Sequence, residues 1–149
     1  VALLRQGPLT LAAKAGHNAE QHNHNDVGSF IVHRGRTCFL DDPGAPIYSA
    51  STFSAHRYDS VFTNSLGHSV PRINGRPQPA SSQFRGEMQE AGAEGAGAKQ
   101  VRIEMAGAYD DPTLQRLCRT LQLGESLVHV RDEMAFSQPP QAVQESFVT

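Results

Sequence analysis

The chain has 149 residues, 13 Lys and Arg against 15 Asp and Glu, and a formal net charge of −2 with histidine neutral. That length fits one domain with a sizeable core, and the slightly acidic balance argues against nucleic acid as the main partner, because phosphate binding needs a basic surface. With 19% charged residues, 13 Gly, 9 Pro and no Trp, the composition suits a loop-rich β domain better than a coiled coil or a disordered tail.

No apolar run reaches the ~18 residues of a membrane helix, so no membrane partner is expected. Cys38 and Cys118 lie far apart without Cys-x-x-Cys spacing. They read as small core residues, with a disulfide between them left open. The first residue is Val1, with no initiator Met or signal peptide ahead of it. That reads as a single domain, 1–149, excised from a longer protein.

Residues 3–13 mix apolar side chains around Pro8 and read as one or two short strands. Residues 17–29 follow, His-Asn-Ala-Glu-Gln-His-Asn-His-Asn-Asp-Val-Gly-Ser, and the rest of the chain is organised around them. If residues 21–26 are extended, His22, His24 and Asp26 share one face while Asn23 and Asn25 take the other. One imidazole can then bind a metal while its neighbour stays free for proton transfer or substrate contact. A solvated His/Asn loop explains this stretch, taken alone, equally well. Residues 27–33 are β-branched and aromatic, Arg34-Gly35-Arg36 is a short turn, and residues 37–42 return as the second strand of a hairpin. Antiparallel pairing carries Asp42 back beside the start of the first strand, near His24.

Residues 49–58 lack a clear period and read as a loop or one helical turn crossing the site. The chain is extended again from His68 to Ile73, and Asn74-Gly75 signals a two-residue turn. The Gly/Ala-rich residues 91–98 read as a mobile surface loop. Residues 100–109 alternate, with Val101, Ile103 and Met105 on one face. Residues 114–123 fit a helical stripe or one face of a strand. The alternating residues 128–136 supply a natural strand partner for them across Gly124-Glu125, so a second hairpin is expected. Residues 143–148 add a last, truncated strand. No internal repeat is apparent, and six or more short strands between regular turns predict an all-β fold, an antiparallel β-sandwich.

A metal site needs three or four ligands converging from different strands. Asp42 and His68 each begin or end an extended segment beside Gly or Pro, which lets the backbone approach closely. With His24 they make a His/Asp/His set that leaves a water position open. Taken singly, His68 also reads as a core-edge histidine and Asp42 as a turn-capping aspartate.

The ordered set His22-Asn23-His24-Asn25-Asp26-Val27-Gly28-Ser29-Phe30, Asp42-Pro43-Gly44, Phe53 with Arg57-Tyr58, His68-Ser69-Val70-Pro71 and Ile73-Asn74-Gly75 resembles the heparinase II/III-like polysaccharide lyases. It covers about residues 16–78, and the later strands, with Asp132, resemble the same domain more weakly. In that family a β-sandwich follows a helical toroid domain, and the resemblance implies that this chain is the sandwich alone. It further implies that His24, Asp42 and His68 hold one structural Zn2+, and that His22 and Tyr58 reach the substrate cleft as catalytic or substrate-contacting groups. The implied partners are an acidic uronate polysaccharide or oligosaccharide and the helical domain of the same protein. That domain carries the principal catalytic groups, so this chain is expected to be inactive by itself. The implied source is a bacterial protein, periplasmic or cytoplasmic.

Two rival readings remain. A cupin-like metal enzyme also opens with His-x-His, but Gly28 and Ser29 stand where its Glu is expected and no later Pro-x-Gly-x-x-His follows. A non-catalytic carbohydrate-binding module needs exposed aromatic platforms, for which three Tyr and no Trp offer limited material. His17, Asn18 and Glu20 are further candidates to line a cleft. Arg72, Arg76 and Arg85 are candidates to contact carboxylates or sulfates, or are ordinary surface arginines.

Overall fold

The computed structural model describes residues 1–91 and 98–149. Its strands are β1 (Ala2–Gln6), β2 (Leu9–Ala13), β3 (Gly16–Asn18), β4 (Phe30–Arg34), β5 (Thr37–Leu40), β6 (Arg72–Ile73), β7 (Ser81–Ala91), β8 (Lys99–Glu104), β9 (Leu114–Leu123), β10 (Val128–Phe136) and β11 (Val143–Gln144). One sheet runs β1-β2-β4-β5 and the other β10-β9-β8-β7-β3, while β6 and β11 form a small ribbon. Every pairing is antiparallel. The fold is an antiparallel β-sandwich, as the spacing of short strands predicts.

Period-two alternation builds the core. Leu9, Leu11 and Ala13 point inward from β2 beside Phe30 and Val32 of β4. Val101 and Ile103 of β8, with Leu117, Leu121 and Leu123 of β9, meet them from the opposite sheet. Each such fully buried large side chain contributes roughly 1.5–3 kcal/mol. Both predicted hairpins form: β4 pairs with β5 around Gly35, and β9 pairs with β10 from Leu123↔Val128 onward. Residues 114–123 are therefore a strand, because a partner on each side completes their hydrogen bonding. Asn74 and Gly75 both have positive φ, 53° and 74°, the left-handed pair that a tight two-residue turn requires.

Two strands escape the sequence pattern. β7 has only Phe84, Gly86 and Met88 to mark an inner face, and Gly86 carries no apolar signal. It is glycine for space, since a Cβ there would meet Val27 Cγ1 at 2.7 Å. β3 spans three residues of the polar stretch and pairs with β7 through a bulge. The strand carrying Val101 and Ile103 ends at Glu104, and buried Met105 leads into a 3₁₀ turn at Ala106–Ala108. The surface loop expected at 91–98 falls largely on residues 92–97, outside the described residues.

One buried charge ties this scaffold to the loops above it. Arg119 of β9 is fully buried, and its Nε and Nη2 donate to the two carboxylate oxygens of Asp132 on β10. Its Nη1 donates to the carbonyls of Gly28 (3.0 Å) and Ser69 (2.6 Å), and its Cζ lies 5.3 Å from the Phe30 ring centroid. A second carboxylate, Glu145, approaches Nη2 at 3.2 Å.

Partial burial, then the Asp132 charge, push the Glu145 carboxyl up to about 7. A carboxyl raised above its unfolded value of 4.5 contributes stability below that pH and loses it as pH rises through about 7. Glu145→Gln is therefore expected to match wild type near pH 4 and to exceed it near pH 8 by on the order of 1 kcal/mol, given solvent screening of a side chain one-third exposed. Urea unfolding at the two pH values reads this directly.

Candidate metal centre and adjoining cleft

The residues between β3 and β4 are looped, which corrects the picture of alternating faces. His22 sits in a turn with φ 55° and is exposed, Asn23 and Asn25 are buried, and His24 is half-buried. Asp26 departs from the expected face: it is buried and pairs with Lys14. Asparagine chemistry accounts for the loop, because short amide side chains compete with strand pairing for main-chain partners. Asn23 Nδ2 donates to Asn25 Oδ1 (3.1 Å), Asn25 Nδ2 to the Gln78 carbonyl (3.1 Å), and the Asn25 N–H to the Thr63 carbonyl (2.9 Å).

His24, Asp42 and His68 nevertheless converge. Each offers one ligand atom, and these atoms all lie within 4.8 Å of one another. Asp42 arrives as the β4–β5 hairpin predicts. His68 arrives through a 3₁₀ turn, Ser65–Gly67, in which Gly67 is pressed so closely on the Val61 carbonyl that any Cβ would collide with it. His68 is completely buried, its Nδ1 lies 2.8 Å from Asp42 Oδ2, and its Nε2 has no hydrogen-bond partner among the described residues. The His24 and His68 rings stand 5.2 Å apart.

The electrostatics suit a cation. Burial, then the neighbouring His68, lower the His24 pKa, favouring the neutral imidazole that a metal needs. Burial opposes ionisation of Asp42, but hydrogen bonds from His68 and the Gly44 N–H outweigh it and hold the carboxyl below its ordinary range. A buried, unpartnered imidazole nitrogen beside a second imidazole and an ionised carboxylate is a donor set that zinc fits.

His22 and Tyr58, the other two predicted site residues, are not members of this cluster but lie together beside it, since Asn23, adjacent to His24, lines the same cleft. Both line an open cleft of about 370 Å³ with Glu20, Gln21, Asn23, Thr52, Phe53, Ser54 and Arg57. The residues crossing the site form two 3₁₀ turns, Ser51–Phe53 and Arg57–Asp59. The His22 ring packs on Tyr48 (5.6 Å) and edge-on to Phe53 (6.2 Å). Of the remaining candidates, Glu20 lines the cleft, Asn18 is buried against Gln78 and the Pro79 carbonyl, and His17 Nδ1 accepts from the Ala19 N–H. Arg72 donates to Gln144. Cys38 and Cys118 are both free thiols; Cys118 is buried and Cys38 half-buried.

Two contributors, Gln78 and Tyr48, go unmarked in the sequence reading, and a third, Arg57, is quoted there without a role. Arg57 donates through Nε and Nη2 to the Asn23 carbonyl and through Nη1 to the Thr52 carbonyl, clamping both walls of the cleft. Gln78 is fully buried and holds Val27 in both directions, accepting from its N–H and donating to its carbonyl. Its setting, Pro-Gln-Pro, offers only a turn signal. Tyr48 packs against the His22 and Phe53 rings from a stretch with no periodicity.

No protein-family model matches the chain, and no curated protein matches it.

Proposed function

We propose that the chain is the zinc-holding β-sandwich of a polysaccharide lyase that cleaves uronic-acid-containing polysaccharide by β-elimination. The remaining catalytic groups come from a helical domain of the same protein. The observation that carries this reading is the meeting of His24, Asp42 and His68, from three separate loops, beside a cleft that contains His22 and Tyr58.

In such an elimination a base removes the proton at C5 of the uronate, a C4–C5 double bond forms, the C4–oxygen bond breaks, and the leaving oxygen takes a proton. The C5 proton is acidic enough only when the adjoining carboxylate is neutralised. His22 suits proton transfer or carboxylate contact, because its imidazole is exposed in the cleft and can both take and give a proton. Tyr58 is a supporting contact, and the clamped Arg57 guanidinium adds fixed positive charge to the same wall. Zinc held by His24, Asp42 and His68 would supply a fixed positive centre that orders their loops, since elimination needs no activated water.

A second reading has its own support. Tyr48 and Phe53 are 52% and 68% exposed with ring centroids 5.5 Å apart, the sort of aromatic surface on which a sugar ring stacks without any reaction. Elimination by the longer protein containing this chain, followed through ultraviolet absorbance of the unsaturated uronate product, separates the two. His22→Ala is expected to lower kcat by about 10²–10⁴ with zinc content unchanged. Wild-type kcat in that variant would sink the role of His22. Uronate binding without any unsaturated product from the longer protein would favour the binding module.

A further inference from the structure

A second cluster of metal-ligating side chains lies on the β4–β5 hairpin and shares no residue with the first. His33 of β4 stands opposite Cys38 of β5, immediately after a register shift between Val32 and His33. Asp41 follows the end of β5. One ligand atom from each of His33, Cys38 and Asp41 lies within 4.8 Å of the others. We propose that these three residues bind a borderline divalent cation of the zinc or cobalt type, distinct from the ion placed at His24, Asp42 and His68.

The donor set selects the ion. A thiolate and an imidazole favour zinc, cobalt and their neighbours over magnesium or calcium, which prefer all-oxygen shells, and one carboxylate completes three protein ligands. Three ligands leave a fourth position for water. Access is open: His33 and Cys38 are half-buried and Asp41 is exposed. The Cys38 sulfur lies near the main-chain carbonyls of Leu40 (3.2 Å) and Val32 (3.8 Å), and its side-chain partner Asp41 is itself a proposed ligand; burial and that carboxylate push the thiol up, so the metal has to displace its proton. Binding exchanges the thiol proton for the metal, with one proton released per ion and no redox change.

The position is also fixed in advance. The Asp41 N–H donates to the Val148 carbonyl at 2.9 Å, and the Val148 N–H donates to Ser69 Oγ at 3.1 Å. The hairpin end is thereby tied to the C-terminal segment and to the residue after His68. Consecutive aspartates serve different clusters: Asp42 Oδ2 contacts His68, whereas Asp41 groups with His33 and Cys38. An ion here would staple the two strands of the hairpin and steady the backbone that presents Asp42.

Cobalt distinguishes the two sites, because only this one includes a cysteine. Metal-stripped chain titrated with Co2+ is expected to develop near-ultraviolet thiolate-to-cobalt charge-transfer absorption, saturating at one thiolate-bound ion per chain. Cys38→Ser should abolish the band, and His33→Ala or Asp41→Ala should weaken binding by at least about tenfold. Cys118→Ser and His24→Ala should leave the band unchanged. No band in the folded wild type at saturating Co2+ would overturn the site, as would a band that survives Cys38→Ser or disappears in Cys118→Ser. If Cys38→Ser does not fold, unchanged Co2+ affinity in His33→Ala overturns it instead.

Discussion

In a Cys38→Ser background, which removes the hairpin site, His68→Ala is expected to reduce bound zinc from near one ion per chain to less than about a tenth, measured by elemental analysis of the purified chain. The effect should be large because His68 is completely buried and its Nε2 has no partner among the described residues. The same loss is expected in His24→Ala and Asp42→Ala, whereas His22→Ala, altered in the exposed cleft, should retain its zinc. At free zinc about a hundredfold above the dissociation constant, the ion stabilises the fold by roughly 2.7 kcal/mol. For a chain of this size that is a rise in Tm of roughly 5–10 °C. In the same background a chelator should therefore lower the Tm when His68 is present and leave it unchanged in His68→Ala, which separates a lost ligand from a merely damaged core. A folded Cys38→Ser chain that binds no zinc even when zinc is supplied would sink the assignment.

The triad was legible because each member carries a local signal. Asp42 ends a hairpin whose strands and turn are readable, so antiparallel pairing alone brings it toward His24. His68 borders an extended segment and follows Gly67, and the structure gives that glycine its reason in the Val61 carbonyl. What failed was the local conformation of residues 21–26. A reading by alternation assumes that main-chain groups pair with another strand, whereas Asn23 and Asn25 bond to each other and to the main chain of Gln78, bending the segment into a loop. Asp26 is consequently turned to Lys14. Residues 81–91 were missed for a different reason. A strand whose inner face includes a glycine and whose outer face is Glu, Gln and Arg has almost no hydrophobic period to detect. The ambiguous residues 114–123 show the converse, since their neighbour at 128–136 decided for a strand where their own periodicity did not.

Arg119 illustrates the part of the site that no local pattern could reveal, and Arg119→Met is expected to destabilise the fold by about 3–5 kcal/mol. In the sequence it is a charged residue inside an apolar stretch, with nothing to mark which groups it meets. In the fold it is fully buried, its cation is compensated by Asp132, and its Nη1 supplies the Gly28 and Ser69 carbonyls. Removing it leaves the Asp132 carboxylate, with a side chain only 10% exposed, without its counter-charge. Arg119→Lys should recover little, because a single ammonium cannot reproduce a planar fork that reaches a carboxylate and two carbonyls together. The double replacement Arg119→Met with Asp132→Leu removes both charges, so it should be less destabilised than the sum of its parts. Recovery should stop short of wild type, since the two carbonyls still lose their donor at a cost of about 1–3 kcal/mol each. Gly28 closes the loop that carries His24, and Ser69 adjoins His68, so Arg119→Met should also weaken zinc binding without touching a ligand. Urea unfolding of the four members of the cycle, with zinc affinity measured on each, tests both parts. Simple additivity of the two single changes would refute the ion pair as the source of the loss, and unchanged zinc affinity in folded Arg119→Met would sever the link from this buried charge to the metal loops.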